Sequence, residues 1–409
     1  MSISRRDFLS AGATSAAVIA TTTQVPHFLL EAAAAPGAAP YDRVLVVIQL
    51  TGGNDGLNTI VPYGDDQYHR NRFETRIRAA DALPIDDYVG FHPRLRGLAQ
   101  LLEAQQLAIV QGVGYPHPNR SHFESMDIWH TAMQAQGTRV SGWLGRYLDD
   151  QAGVAADAHV PAVHFGSRSQ PLALAGLNVH VPSIDSIDGF RLRGLETRKL
   201  RERVQRATDA PRELADGLLG FLKSASQAAL AASREVQQAV TDYSTPVDYP
   251  ATDLANQLRS VAQLVDAGLA TRIYYVTLDG FDTHSQQAEA HAALLGELGD
   301  ALSAFLGDLS HHGHAERTAV LVFSEFGRRV KENASRGTDH GAAAPMFLAG
   351  GGVRGGVIGS HPSLTDLDDG DLRFHTDFRQ VYATVLEEWL GAASQGVLQG
   401  KFDKLRLFA

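Results

Sequence analysis

Two hydrophobic periods share this chain. Short runs that are apolar at nearly every position recur at 44–50, 107–110, 160–165, 273–278, 319–323 and 346–349. Their length and β-branched content predict strands buried on both faces, as in a parallel sheet covered by helices. Between two of these runs, residues 286–309 read as a helix, the crossover that neighbouring parallel strands require. The pattern predicts an α/β fold, a three-layer α/β/α sandwich with a mostly parallel central sheet.

Between about 185 and 268 the strand signal disappears. Asp209-Ala210-Pro211 reads as a helix start with proline in the first turn. Leu214, Leu218, Phe221, Leu222, Ala225 and Ala229 follow at helical spacing, and Leu254, Leu258, Val261 and Val265 repeat it. No heptad lasts long enough for a coiled coil. The segment predicts a helical insertion beside the sheet, placed to roof the carboxyl ends of the strands and limit substrate size.

The first 35 residues have a different character. Ser4-Arg5-Arg6-Asp7-Phe8-Leu9 precedes an apolar, uncharged stretch to Thr22 and a small-residue exit from Ala32 to Ala35. The stretch is broken by Gly, Ser and Thr and is shorter than the roughly 20 residues of a spanning helix. It reads as a twin-arginine signal peptide, cleaved after Ala34 or Ala35, with the twin-arginine translocase as partner during export and no stable membrane anchor afterwards. The mature chain is then expected in the periplasm or secreted, with residues 41–409 as one large α/β domain.

Charge and cysteine content narrow the chemistry. The net charge is −10, and the two signal arginines balance Asp7 and Glu31, so the mature chain keeps it. An acidic surface argues against nucleic acid or anionic lipid as partner. With no cysteine, thiolate chemistry is excluded and stability rests on packing.

Ligands of open α/β sheets bind outside the carboxyl ends of the strands. The residues predicted there are Thr51-Gly52-Gly53-Asn54-Asp55-Gly56, then Asp279-Gly280-Phe281-Asp282-Thr283-His284, then Ser324-Glu325-Phe326-Gly327-Arg328, with Thr338-Asp339-His340-Gly341 shortly after. Each alone is an ordinary turn, and Thr283-His284-Ser285-Gln286 also fits a capping box. Together they place carboxylates and imidazoles at one edge, a donor set that suits a divalent metal: zinc, calcium, magnesium or manganese. In His117-Pro118-Asn119-Arg120-Ser121-His122-Phe123-Glu124, Ser121 reads either as a helix cap boxed with Glu124 or as a nucleophile at a helix N-terminus, where an anion is favoured. Arg120 beside it could hold a phosphate or sulfate.

Three further features have structural readings. Residues 350–355 match a dinucleotide fingerprint literally, but more glycine follows instead of a helix, so they read as a turn. His164 reads as a satisfied buried histidine, and Asp377 with Arg379 as the start of the last helix.

The Gly52–Gly56 loop, Arg120-Ser121-His122-Phe123, Asp282-Thr283-His284, 324–328 and 338–341, with the twin-arginine start, together resemble the exported domain-of-unknown-function 1501 family. That family is in turn similar to the alkaline phosphatase-like superfamily of phosphatases, sulfatases and cofactor-independent phosphoglycerate mutases. The resemblance implies metal-supported attack on a phosphate or sulfate ester. It makes Ser121 the nucleophile with Arg120 in the catalytic set, Asp55, Asp282, His284, Glu325 and His340 the metal ligands, and Asn54, His122 and Arg328 substrate contacts. The sequence departs from the superfamily in two places. The acid and imidazole at 282 and 284 are spaced Asp-x-His, and Glu325-Phe326 stands where an Asp-His pair is usual. Phenylalanine cannot bind a metal. That leaves one metal, two metals completed by Glu325 and His122, or lost catalysis. No sulfatase-type signature follows Ser121.

Two functions follow: an exported metal-dependent hydrolase of phosphate or sulfate esters, or a non-catalytic periplasmic binding or assembly protein that retains the fold and a structural metal. The export reading predicts that replacing Arg5 and Arg6 together with lysine leaves unprocessed precursor in the cytoplasm, because recognition reads the arginine pair and not charge alone. Fractionation followed by immunoblotting checks it, and mature protein outside the cytoplasm would overturn it.

Overall fold

The computed structural model describes residues 43–134, 139–152, 162–166, 169–179, 181–184, 187, 242–269 and 271–409. The signal segment with its cleavage site and the greater part of the helical insertion, 188–241, lie outside the described residues. Among those described, no helix is long and apolar enough to cross a membrane.

The strands of the central sheet are β1 (Val44–Thr51), β2 (Leu107–Gly114), β3 (Ala162–Phe165), β4 (Ser183–Ile184), β5 (Ile273–Asp279), β6 (Thr318–Ser324), β7 (Ala344–Gly350), β8 (Gly356–Ile358) and β9 (Thr376–Asp377). They lie in the order β8-β2-β7-β6-β1-β5-β3-β4, with β9 also paired to β2. Every pairing is parallel except those of β7, which runs against both β2 and β6. All six apolar runs read from the sequence are strands of this sheet.

The strand residues alternate between two buried faces. Val46, Ile48 and Leu50 of β1, with Val276, Val320 and Val322, pack under helices α1 (Arg96–Glu103), α4 (Asp253–Asp266) and α5 (Gln287–His311). Leu45 and Val47, with Tyr275 and Leu321, face the opposite layer of α2 (His122–Thr131), α3 (Trp143–Ala152) and α6 (Phe378–Thr384). Two covered faces explain why these strands read as continuous apolar runs. Asp377 caps α6 in a box with Gln380, as the sequence suggests. The chain turns after β7 at Gly350, whose φ is +123°, with no helix following. Helix α5 differs from expectation. Its cap is Gln286, left-handed at φ 48° with no side-chain cap bond, so no box forms at 283–286. Loop carbonyls accept the free N–H groups instead, Ser335 from Gln286 and Arg336 from Gln287.

β1 sits between β5 and β6, with Leu50 level with Leu278 on one side and Ser324 on the other. The loops starting at Gly52, Gly280 and Glu325 therefore leave the sheet side by side. Because β7 is antiparallel, the chain entering it, with the ribbon Arg328–Glu332 and Thr338–His340, reaches the same edge. Gly52 has φ +118°, and a Cβ there would lie 2.3 Å from the backbone nitrogen of Asp282. Only glycine lets these two loops touch.

One buried ion pair ties the first loop to the ribbon. Asp55 and Arg72 are both fully buried, with Nη1–Oδ2 at 2.5 Å and Nη2–Oδ1 at 3.0 Å. Arg72 also donates to the carbonyls of Val330 and Arg329. Burial pushes the Asp55 carboxyl upward, but the Arg72 guanidinium outweighs it and holds the carboxyl below its ordinary range. A depressed folded-state pKa means the pair stabilises the fold fully above the unfolded value of about 4 and loses that contribution as pH falls toward the folded value. Arg72→Met, which strands a buried carboxylate, should cost about 3–5 kcal/mol. It should also flatten the loss of stability on acidification. Urea unfolding at pH 3 to 7 checks both, and a cost under about 1 kcal/mol would refute the assignment.

Candidate metal centre

Four side chains from three sequence regions converge above the carboxyl ends of β1, β5 and β6. Asp282 Oδ1 lies 3.1 Å from His284 Nε2, 3.2 Å from His340 Nε2 and 3.5 Å from His122 Nε2. The Nε2 atoms of His284 and His340 are 2.9 Å apart. Ligating atoms of His122, Asp282 and His340 all lie within 4.8 Å of one another. His122 reaches the centre because it opens α2, whose N-terminus follows β2 to the same edge.

The far nitrogen of each ring decides which tautomer is present. His122 Nδ1 faces Glu325 Oε1 at 2.8 Å, His284 Nδ1 faces Asp339 Oδ1 at 3.3 Å, and His340 Nδ1 faces the Arg120 carbonyl at 2.7 Å. Carboxylates and carbonyls only accept, so each Nδ1 carries a hydrogen toward its outer partner and each ring turns Nε2 inward. His122 Nε2 is buried with no hydrogen-bond partner. The Nε2 atoms of His284 and His340, 2.9 Å apart, face each other and Asp282, an arrangement that a shared cation would satisfy. The separations fit a metal, since adjacent ligand atoms of a tetrahedral site with bonds of about 2.0–2.1 Å stand about 3.3 Å apart. A carboxylate or carbonyl behind each ligand histidine is the usual outer shell of such a site.

Electrostatics agree with the geometry. Burial raises the Asp282 carboxyl, yet Arg328, His340 and His284 draw it down to about 2, so it is anionic. The hydrogen bond that His122 donates to Glu325 pushes the imidazole up, against the effect of burial, while burial pushes His340 down.

Arg328 assembles the centre and does not face a substrate. It is fully buried, and its guanidinium donates to the carbonyls of Gly52, Gly53, Phe281 and Thr338 and to Asp282 Oδ1. Phe326 fills the position where the superfamily pattern has an imidazole. Its buried ring packs on His122 and His340, with centroids at 4.9 Å and 4.6 Å. The missing side chain of Gly53 makes room, since a Cβ would lie 2.3 Å from the Phe326 ring.

The expected ligand set is therefore rearranged. Asp282, His284 and His340 stand together, joined by His122, which the sequence reading placed as a substrate contact. Asp55 is not with them, because both of its oxygens are engaged by Arg72 and one by Gln287 as well. Glu325 stands behind His122, accepting from the Gly52 N–H, Ser324 Oγ and the imidazole, which leaves it a support and not a ligand. Asn54 is buried, its side-chain oxygen taken by Thr59 and His291. Arg120 is held by Asp371 and Asp369. Ser121 is the N-cap residue of α2, but its hydroxyl makes no cap bond. Glu124 pairs with Arg139, so the expected box is not formed. That exposed hydroxyl adjoins the Arg120 peptide on which His340 rests. Arg72, Gln287 and Asp339 escaped the sequence reading. Arg72 lies in no strand-end loop, whereas Asp339 stands in a loop already singled out.

Solved structures with similar folds include a protein in the alkaline phosphatase superfamily from Vibrio parahaemolyticus, with TM-score 0.40 and 9% identity over 93% of this chain and 78% of that one. Another is the PsFucS1 sulfatase from Pseudoalteromonas sp., with TM-score 0.39 and 12% identity over 96% and 74%. A third is the lipoteichoic acid synthase LtaP from Listeria monocytogenes, with TM-score 0.37 and 8% identity over 92% and 79%. No curated protein matches the chain. The model of the family described as "protein of unknown function (DUF1501)" matches residues 101–391, well over half of the sequence and all four converging side chains, and the chain belongs to that family.

Proposed function

We propose that this protein is an exported metal-dependent hydrolase of phosphate or sulfate esters. The observation that carries the reading is the inward convergence of three imidazole Nε2 atoms on Asp282, with Ser121, whose hydroxyl makes no cap bond, next to His122 in the chain at the N-terminus of α2. His122, His284, His340 and Asp282 would hold the metal. Three nitrogens and one oxygen favour zinc or a similar transition metal over calcium or magnesium, which prefer oxygen donors. Such an ion, when bound, polarises an ester oxygen and lowers the pKa of a hydroxyl beside it.

The chain's own groups supply the rest. The N-terminus of α2 favours the anionic ester. Ser121 Oγ would attack the phosphorus or sulfur, forming one oxygen bond as the bond to the alcohol breaks, and the alcohol leaves with the proton the hydroxyl gives up. Water then cleaves the serine ester and restores the hydroxyl. A second reading, a binding or assembly protein with a structural metal, is favoured by one fact. The two arginines expected to grip the anion, Arg120 and Arg328, are engaged with protein groups.

Metal analysis and turnover of aryl phosphates, phosphodiesters and sulfates separate the two. His340→Ala and Asp282→Asn should each strip the metal, whereas Glu325→Gln, which only weakens the partner of His122, should lower metal affinity by about 10–100-fold. Ser121→Ala should keep the metal, cost under about 0.5 kcal/mol of stability because no cap bond is lost, and reduce turnover by orders of magnitude. Full activity in Ser121→Ala would remove Ser121 as nucleophile. A metal-loaded protein that turns over no ester would leave the second reading.

A further inference from the structure

A cavity of about 1060 Å³ adjoins the metal centre, with His122 and Glu325 in its wall. It extends over the carboxyl ends of β1, β5 and β3 to the N-terminus of α4, so a group esterified at the centre projects into it. Its size reaches the top of the usual range for pockets that enclose drug-sized ligands, about 300–1,000 Å³, and is far more than a small alcohol needs.

The lining selects by charge and by hydrogen bonding. Asp127, Asp253, Asp279 and Glu297 join Glu325 in the wall, and no lysine or arginine lines the cavity among the described residues. A cavity walled by one sign of charge focuses its field, so a ligand with further negative charge is repelled. The remaining polar groups are largely neutral. His130 and His164 lie in the wall, and burial pushes them down to about 3 and about 4, so neither adds a positive charge at neutral pH. Gln257 Oε1 is buried without a hydrogen-bond partner and calls for a donor. Carboxylates and a free amide oxygen accept hydrogen bonds, and hydroxyl groups supply them without bringing charge.

One apolar surface stands at the side nearest the metal centre. Phe123 follows His122 in the first turn of α2, lines the cavity and is 87% exposed. Its ring, with Met126 one turn along, offers a flat face against which a ring can stack.

We infer that this cavity binds an uncharged, hydroxyl-rich ring compound of saccharide type, larger than one ring, as the leaving group of the ester cleaved at the metal centre. Calling it a leaving group rests on the hydrolase reading; the selectivity of the cavity does not. Small cations would also be drawn to the carboxylates and to Phe123, but they would fill little of the volume.

The test is calorimetric titration of the full metal-loaded protein with neutral di- and trisaccharides of varied linkage, glucosamine oligomers and galacturonate oligomers of equal length. At least one neutral oligosaccharide should bind, with the galacturonates at least tenfold weaker. Phe123→Ala, at an exposed position where folding is not at stake, should weaken the neutral ligand roughly tenfold, and Gln257→Ala should weaken it as well. Tighter binding of glucosamine oligomers by tenfold or more would convert the cavity to a cation site and overturn the inference. So would binding of galacturonates, or failure of every neutral sugar. Turnover of simple aryl esters without sugar binding would defeat this inference alone. Sugar binding without turnover of any ester would defeat the hydrolase reading and leave the cavity assignment standing.

Discussion

The guanidinium of Arg328 is the constraint on which the functional edge depends. Loops at the ends of parallel strands have no ladder partners of their own, and their carbonyls must be satisfied elsewhere. Arg328 satisfies those of Gly52, Gly53, Phe281 and Thr338 together and orients the Asp282 carboxylate in the same fork. Three loops far apart in sequence thereby become one rigid rim. A lysine could not replace it, because a compact ammonium has three donors and no planar fork.

Around that rim each functional group is held by a second one. The three imidazoles are aimed by Glu325, Asp339 and a backbone carbonyl, and Phe326 wedges two of the rings in place. The Asp55–Arg72 pair is a fixed, fully buried and net-neutral ion pair beside the first loop. The guanidinium takes both oxygens of Asp55, which keeps this carboxylate apart from the side chains that converge on Asp282.

The same arrangement separates the acidic cavity from the centre it serves. His122 and Glu325 belong to both, so the pair forms the boundary between the converging imidazoles and a wall that carries several carboxylates and, among the described residues, no lysine or arginine.

The sequence by itself determined the sheet. Strands covered on both faces need apolar residues at almost every position, so their runs are visible without a structure, and so are the loops that follow them and the capped start of α6. The convergence of Asp282, His284 and His340 was legible because each stands shortly after a strand or before an antiparallel one. Only the tertiary structure decided the roles of the others. Asp55 and Glu325 carry the same chemistry in sequence as Asp282, and what separates them is the partner each finds in space: Arg72 for one, His122 and Gly52 for the other. Likewise Ser121 and Glu124 spell a capping box, yet Glu124 finds Arg139 and leaves the hydroxyl unbonded. Local patterns record what a residue can do. Burial and long-range pairing select which of those possibilities is used.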